Sequence, residues 1–157
     1  MHLSESPIRS FLLDTNVFAS AVRHPGRATV TLRFLLELVQ NDNLPLVGNE
    51  FWVEEMVRYA EEFHSETAAL LVEALLNRMH MLQVGNNFVS ICAKYMPANE
   101  PADTLHAATC LQESAILITN DKHFNQIRDE HAIEVWSITR AIRSGITTAK
   151  AVHHAKD

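Results

Sequence analysis

Five short apolar runs divide this sequence, and the segments between them carry helical periodicity. The runs are FLL at 11–13, LPLV at 44–47, MLQV at 81–84, AILIT at 115–119 and IEVWSI at 133–138. Strands that alternate with helices make βαβ units, and such units assemble into a mostly parallel sheet. Crossovers in such a sheet are right-handed, so the carboxyl ends of its strands share one edge. Ligands bind outside that edge. An α/β fold with its chemistry at the strand ends is therefore expected.

The first run stops at a carboxylate. FLLDTNVFAS passes from a strand through Asp14, Thr15 and Asn16 directly into a helical pattern. Further helices are read over 28–39, where Leu32, Leu35, Leu36 and Val39 form one stripe, and over 50–63, 65–78 and 88–95. TLHAATCLQES is helical and rich in Ala, and residues 121–127 can form a short helix. RHPGR and PANEP have the Pro and Gly punctuation of loops. Residues 1–144 form one domain. Residues 145–157 hold little apolar content and are expected to fray as a disordered tail.

Composition removes several classes. The chain has 157 residues, enough for one domain with a real core. Cys92 and Cys110 are too few for a disulfide framework or a thiol zinc site, which makes a reducing cytoplasm the default. There is no run of membrane-span length, and MHLSESPIRS lacks a signal-peptide pattern. With four glycines, GxGxxG and P-loop patterns are absent, and no serine sits in a GxSxG elbow. A net charge of −6 argues against tight non-specific duplex binding. It is compatible with a nucleic-acid enzyme whose acids bind a divalent cation. His106 and Cys110 are spaced i, i+4, as zinc ligands can be, but no partner pair exists, and core packing is the better account. His153 and His154 are read as solvated.

The carboxylates carry more. Asp14 and Asp121 each follow a strand at its carboxyl end, so both fall on the same sheet edge. If their strands are neighbours, the two acids repel and call for a cation or a shared proton. Asp14 also suits the N-cap of the next helix, and that reading stays open. On the helix over 50–63, Trp52, Met56, Tyr59 and Phe63 mark the buried stripe. Glu55 lies at the margin of that stripe and Glu54 on its far side, so Glu55 is preferred and Glu54 kept as the alternative. Asp103 opens the TLHAATC helix, where an acid also suits the helix dipole. Glu100 has the same bland explanation.

Four motifs now stand in order: LLDTNVF, a helical EEMV, PADTLHAA and ILITNDKHF. Together they resemble the PIN-domain family of metal-dependent ribonucleases, which includes the VapC-type toxins. The resemblance spans roughly residues 11–138. It matches Asp14, Thr15 and Asn16 to an Asp-Thr-Asn strand end, Glu55 to a helix glutamate, and Asp103 to an acid before an Ala-rich helix. Thr119, Asp121 and Phe124 match a Thr-x-Asp-x-x-Phe pattern. It implies a three-layer α/β/α sandwich around a parallel five-stranded sheet of order 3-2-1-4-5.

It further implies an endoribonuclease whose carboxylate oxygens suit Mg²⁺ or Mn²⁺. Asp14, Asp103 and Asp121 are expected as metal ligands, and Glu55 as ligand or water-orienting base. Thr15, Asn16, Thr119 and Asn120 are expected to hold these carboxylates in place. Arg23, Arg27 and Lys122 fall near the same edge and could meet RNA phosphates, but solvated surface is the better account of them. An RNA substrate, an antitoxin and a homodimer are the partners the resemblance brings. Two other readings remain: a PIN-like interaction module without chemistry, and a phosphatase of the haloacid dehalogenase type. The second normally needs an acid two residues after the first Asp, where this chain has Asn16.

Overall fold

The computed structural model describes residues 9–23 and 29–147. Strand β1 (Phe11–Leu13) leads into helices α1 (Thr15–Val22) and α2 (Val30–Gln40), then β2 (Leu46–Gly48). Helices α3 (Glu50–Phe63) and α4 (Glu66–Arg78) lead to β3 (Met79–Met81). After α5 (Asn86–Ala93) and α6 (Pro101–Glu113) comes β4 (Ile116–Ile118). A 3₁₀ turn, α7 (Asn125–Asp129), β5 (Glu134–Trp136) and α8 (Ile138–Ser144) complete the described chain.

The five strands form one parallel sheet in the order β3-β2-β1-β4-β5. Strands β1 and β4 are neighbours along their full length, with Leu12 opposite Leu117 and Leu13 opposite Ile118. Right-handed crossovers toward β2 and β3 send α1–α4 to one face, and those toward β4 and β5 send α5–α7 to the other. Packing agrees: α1 meets α2 and α3, α4 meets α2 and α3, and α5 lies on α6. The central strands are buried on both faces, which is why FLL and ILI are continuous apolar runs rather than alternating ones. Leu12, Phe18, Trp52, Leu75, Leu117 and Ile118 are at the centre of the core.

Several boundaries differ from those expected. The second strand begins at Leu46, because Pro45 cannot donate to the ladder. The third occupies Met79–Met81 rather than 81–84: α4 runs into it without a loop, and Leu82 and Val84 pack on the core beyond its end. The last strand is confined to Glu134–Trp136, and Ile138 belongs to α8, a helix that periodicity did not assign. Ser137 caps that helix by accepting from Arg140 N. Of the tail expected to fray, residues 145–147 are held by Asn41, whose Nδ2 donates to the carbonyls of Ile146 and Thr147, and by a bond from Thr147 Oγ1 to Glu37. Residues 148–157, with His153 and His154, lie outside the described residues, as do Arg27 and most of RHPGR.

Candidate active site

The site starts where β1 and β4 end side by side. Asp14 N donates to Ile118 O at 3.0 Å, so the ladder between the two strands continues to the acid itself. Asp14 is 1 % exposed. Its Oδ1 accepts from Asn16 N at 3.4 Å, the capping bond of α1, while Oδ2 accepts from Thr119 Oγ1 at 2.6 Å. Capping and site-building are thus compatible in one residue.

Thr119 joins the two strand-end acids. Having given its proton to Asp14, its oxygen accepts from Asp121 N at 2.9 Å. Asn16 joins them a second time, donating from Nδ2 to Asp121 Oδ2 at 2.9 Å. Asp121 Oδ1 accepts from His123 N and starts the 3₁₀ turn at Lys122–Phe124. Asn120 turns the other way: its Oδ1 accepts from Ile138 N at the start of α8, and it holds that helix where the sequence had suggested a carboxylate.

Glu55 enters from α3. Its Oε1 accepts from Thr15 Oγ1 at 3.1 Å and meets His106 Nε2 at 3.0 Å. Glu54 is exposed on the same helix, so the geometry favours Glu55. Asp103, in the first turn of α6, pairs through Oδ2 with His123 Nδ1 at 2.9 Å. The same nitrogen lies 3.4 Å from Asp121 Oδ1 and 3.8 Å from Glu100 Oε1. Glu100, Asp103 and His123 each offer a donor atom within 4.8 Å of the others, a set able to hold a metal ion.

The electrostatics reflect this crowding. Burial pushes the Asp14 carboxyl up to about 6, against the opposing bond from Thr119. Asp103 is raised as well, first by burial and then by the charges of Asp121 and Glu100. Burial also acts on Glu55, but the bonds from His106 and Thr15 outweigh it and hold that carboxyl below its ordinary value. His123 is raised, mainly by its bond to Asp103 and further by Asp121 and Glu100. The imidazole of His123 lies between Asp103, Asp121 and Glu100.

The four acids expected from the sequence therefore come from four different elements to one sheet edge. Thr15, Asn16 and Thr119 bond to them as expected. Arg23 and Lys122 are exposed. Three residues near the acids were not expected there: His123, His106 and Asn49. His123 occupies a free position of the TNDKHF motif, so no pattern marks it. A cavity of about 210 Å³ beside the acids is lined by Asn16, Val17, Ser20, Asn120, Asp121 and Ile138. A larger hollow of about 430 Å³ includes Arg9, Ser114, His131 and Glu134, and none of the expected acids lines it. Its Arg9 is already paired with Glu134 at 2.8 Å.

A sequence model of the PIN domain matches residues 11–130. Among solved structures, the chain is similar to VapBC2 from Rickettsia felis bound to a DNA fragment from their promoter. The TM-score is 0.56, with 16% identity over 81% of this chain and 97% of that one. At that identity the likeness is one of fold. No curated protein matches the sequence.

Proposed function

The chain belongs to the PIN-domain family, and from that premise we propose that it is a Mg²⁺- or Mn²⁺-dependent endoribonuclease that hydrolyses RNA phosphodiester bonds. One observation carries this reading: Asp14, Glu55, Asp103 and Asp121 converge from four elements, with Asp14 buried and its carboxyl raised to about 6. A buried acid among other acids is costly to ionise unless a cation joins it. The donor set fits such an ion, because carboxylate oxygens are the hard ligands that Mg²⁺ and Mn²⁺ take.

In this reading Asp14, Asp103 and Asp121 hold the metal, and Glu55 serves as a further ligand or orients the attacking water. Glu100 and His123 extend the set on the side of α6. Thr119 and Asn16 fix the spacing of Asp14 and Asp121, and Thr15 steadies Glu55. The ion supplies charge for the phosphate and a lowered pKa for the attacking water. Lys122, exposed next to Asp121, could meet RNA phosphates; Arg23 closes the far end of α1, about 12 Å along the helix from Asp14, and takes no part in this reading.

A role as the toxin of a toxin–antitoxin pair, in the cytoplasm, follows from the same reading. An antitoxin or a second copy is the protein partner this reading brings. Among the described residues no helix is long and apolar enough to cross a membrane. The test is cleavage of single-stranded RNA with Mn²⁺. Activity is expected to vanish in EDTA and in Asp14→Asn, and unchanged cleavage in either case sinks the proposal.

A further inference from the structure

Behind Glu55 runs a buried polar chain through Thr109, Asn49 and His106, none of them more than 1 % exposed. Its protons can be assigned one by one. Trp52 N donates to Asn49 Oδ1 at 2.9 Å, which identifies the oxygen of that amide. Thr109 Oγ1 gives its proton to Leu105 O at 2.8 Å, so it must accept from Asn49 Nδ2, 2.9 Å away. The second Nδ2 proton then faces His106 Nδ1 at 3.2 Å, and that nitrogen is an acceptor. The ring proton accordingly sits on Nε2, 3.0 Å from Glu55 Oε1.

Glu55 Oε1 thereby receives two donors, His106 Nε2 from α6 and Thr15 Oγ1 from the end of β1. Neither bond uses Oε2. We propose that His106, oriented by Asn49, is a positioning residue that fixes the Glu55 carboxylate with Oε1 occupied and Oε2 left for the cation. The consequence for metal rests on the nuclease reading above. The capping role of Asn49 needs only its Oδ1, and core packing at residue 106 needs no ring nitrogen. What calls for a histidine there is the pair of bonds, one to Asn49 and one to an acid of the site. Partners of this kind, one step behind a ligand, typically change metal affinity by about 10–100-fold when removed.

Two measurements test this. In metal-free protein, ¹⁵N NMR of the histidine rings is expected to show Nε2 protonated and Nδ1 bare for His106; a proton on Nδ1 overturns the assignment. Mn²⁺ calorimetry then compares His106→Gln with His106→Asn. The Gln amide reaches the place of Nε2 and keeps the bond to Glu55. The Asn amide ends near Nδ1 and cannot reach it. Affinity is expected to stay within a few-fold of wild type in His106→Gln and to fall about 10–100-fold in His106→Asn. Equal affinity in the two variants overturns the proposal. If the wild type binds Mn²⁺ but cleaves no RNA, the nuclease reading fails while the comparison of the two variants still decides this one.

Discussion

At the scale of single residues, Asp14 shows the conflict between folding and function most clearly. Its carboxyl rises from 3.8 to about 6, chiefly through burial. A carboxyl raised in the folded state binds protons more tightly there than in the unfolded chain. Its stabilising contribution is therefore complete below 3.8 and is lost as pH rises through about 6. Asp103 and His123, both raised, act with the same sign, and Glu55, lowered, acts against them. Metal-free protein should thus melt higher at mildly acidic pH than at neutral pH. Asp14→Asn removes the charge and should stabilise the metal-free form at neutral pH by about 1–3 kcal/mol, taking roughly 1.4 kcal/mol per pKa unit. The gain is bounded because the Asn amide has one acceptor where Asp14 has two, so either the bond from Thr119 Oγ1 or the one from Asn16 N is lost. Thermal melts across pH check this: a variant less stable than wild type at neutral pH, or a wild-type melting point that does not depend on pH, would count against a costly buried charge.

At the scale of elements, one indole ties the glutamate-bearing helix to the central strand. Trp52 is fully buried on α3, and its Nε1–H donates to Leu13 O, the residue before Asp14, at 2.6 Å. Trp52→Phe removes that donor and leaves a void. The unpaired carbonyl alone costs about 1–3 kcal/mol, and the lost packing adds to it. The melting point should fall, and Mn²⁺ should bind more weakly because α3 no longer holds its angle to β1. A variant with wild-type melting and Mn²⁺ affinity would show that the indole bond does not set that angle.

The same scale explains what the sequence disclosed. Central β1 and β4 were legible because burial on both faces leaves an uninterrupted apolar run that ends abruptly at a polar residue. Edge strand β3 was misplaced because Met79, His80 and Met81 are only half-buried or exposed and form no pattern. Helix α8 was hidden because the apolar content of β5 runs on through Ile138, and the Asn120 bond that starts it comes from 18 residues away. The positions of Asp14 and Asp121 were legible from strand ends and that of Glu55 from the margin of a buried stripe, whereas Asp103, an ordinary acid for a first helical turn, stood out only through the family resemblance. The residues that orient these acids were not legible: His106 meets Asn49 across 57 residues and Glu55 across 51, and no local periodicity encodes such a contact.

For the molecule as a whole, the proposed metal site should make stability depend on a cation. The chain already carries a net charge of −6, and the folded state concentrates Asp103, Asp121 and Glu100 around one imidazole, with Asp14 bridged to Asp121 through Thr119 and Asn16. A ligand that binds the folded state alone stabilises it by about 2.7 kcal/mol at a concentration 100-fold above its Kd. For a domain of this size each kcal/mol shifts Tm by about 2–4 °C, so saturating Mn²⁺ should raise the melting point by roughly 5–10 °C, reversibly with EDTA. The gain should shrink as pH falls through about 6, because protons on Asp14 then compete with the ion. Asp14→Asn should start from a higher melting point without metal and gain far less with it, so that Mn²⁺ narrows or reverses the order of the two proteins. An equal Mn²⁺ shift in both would mean that the ion binds elsewhere, and no shift in the wild type would sink the proposed metal site.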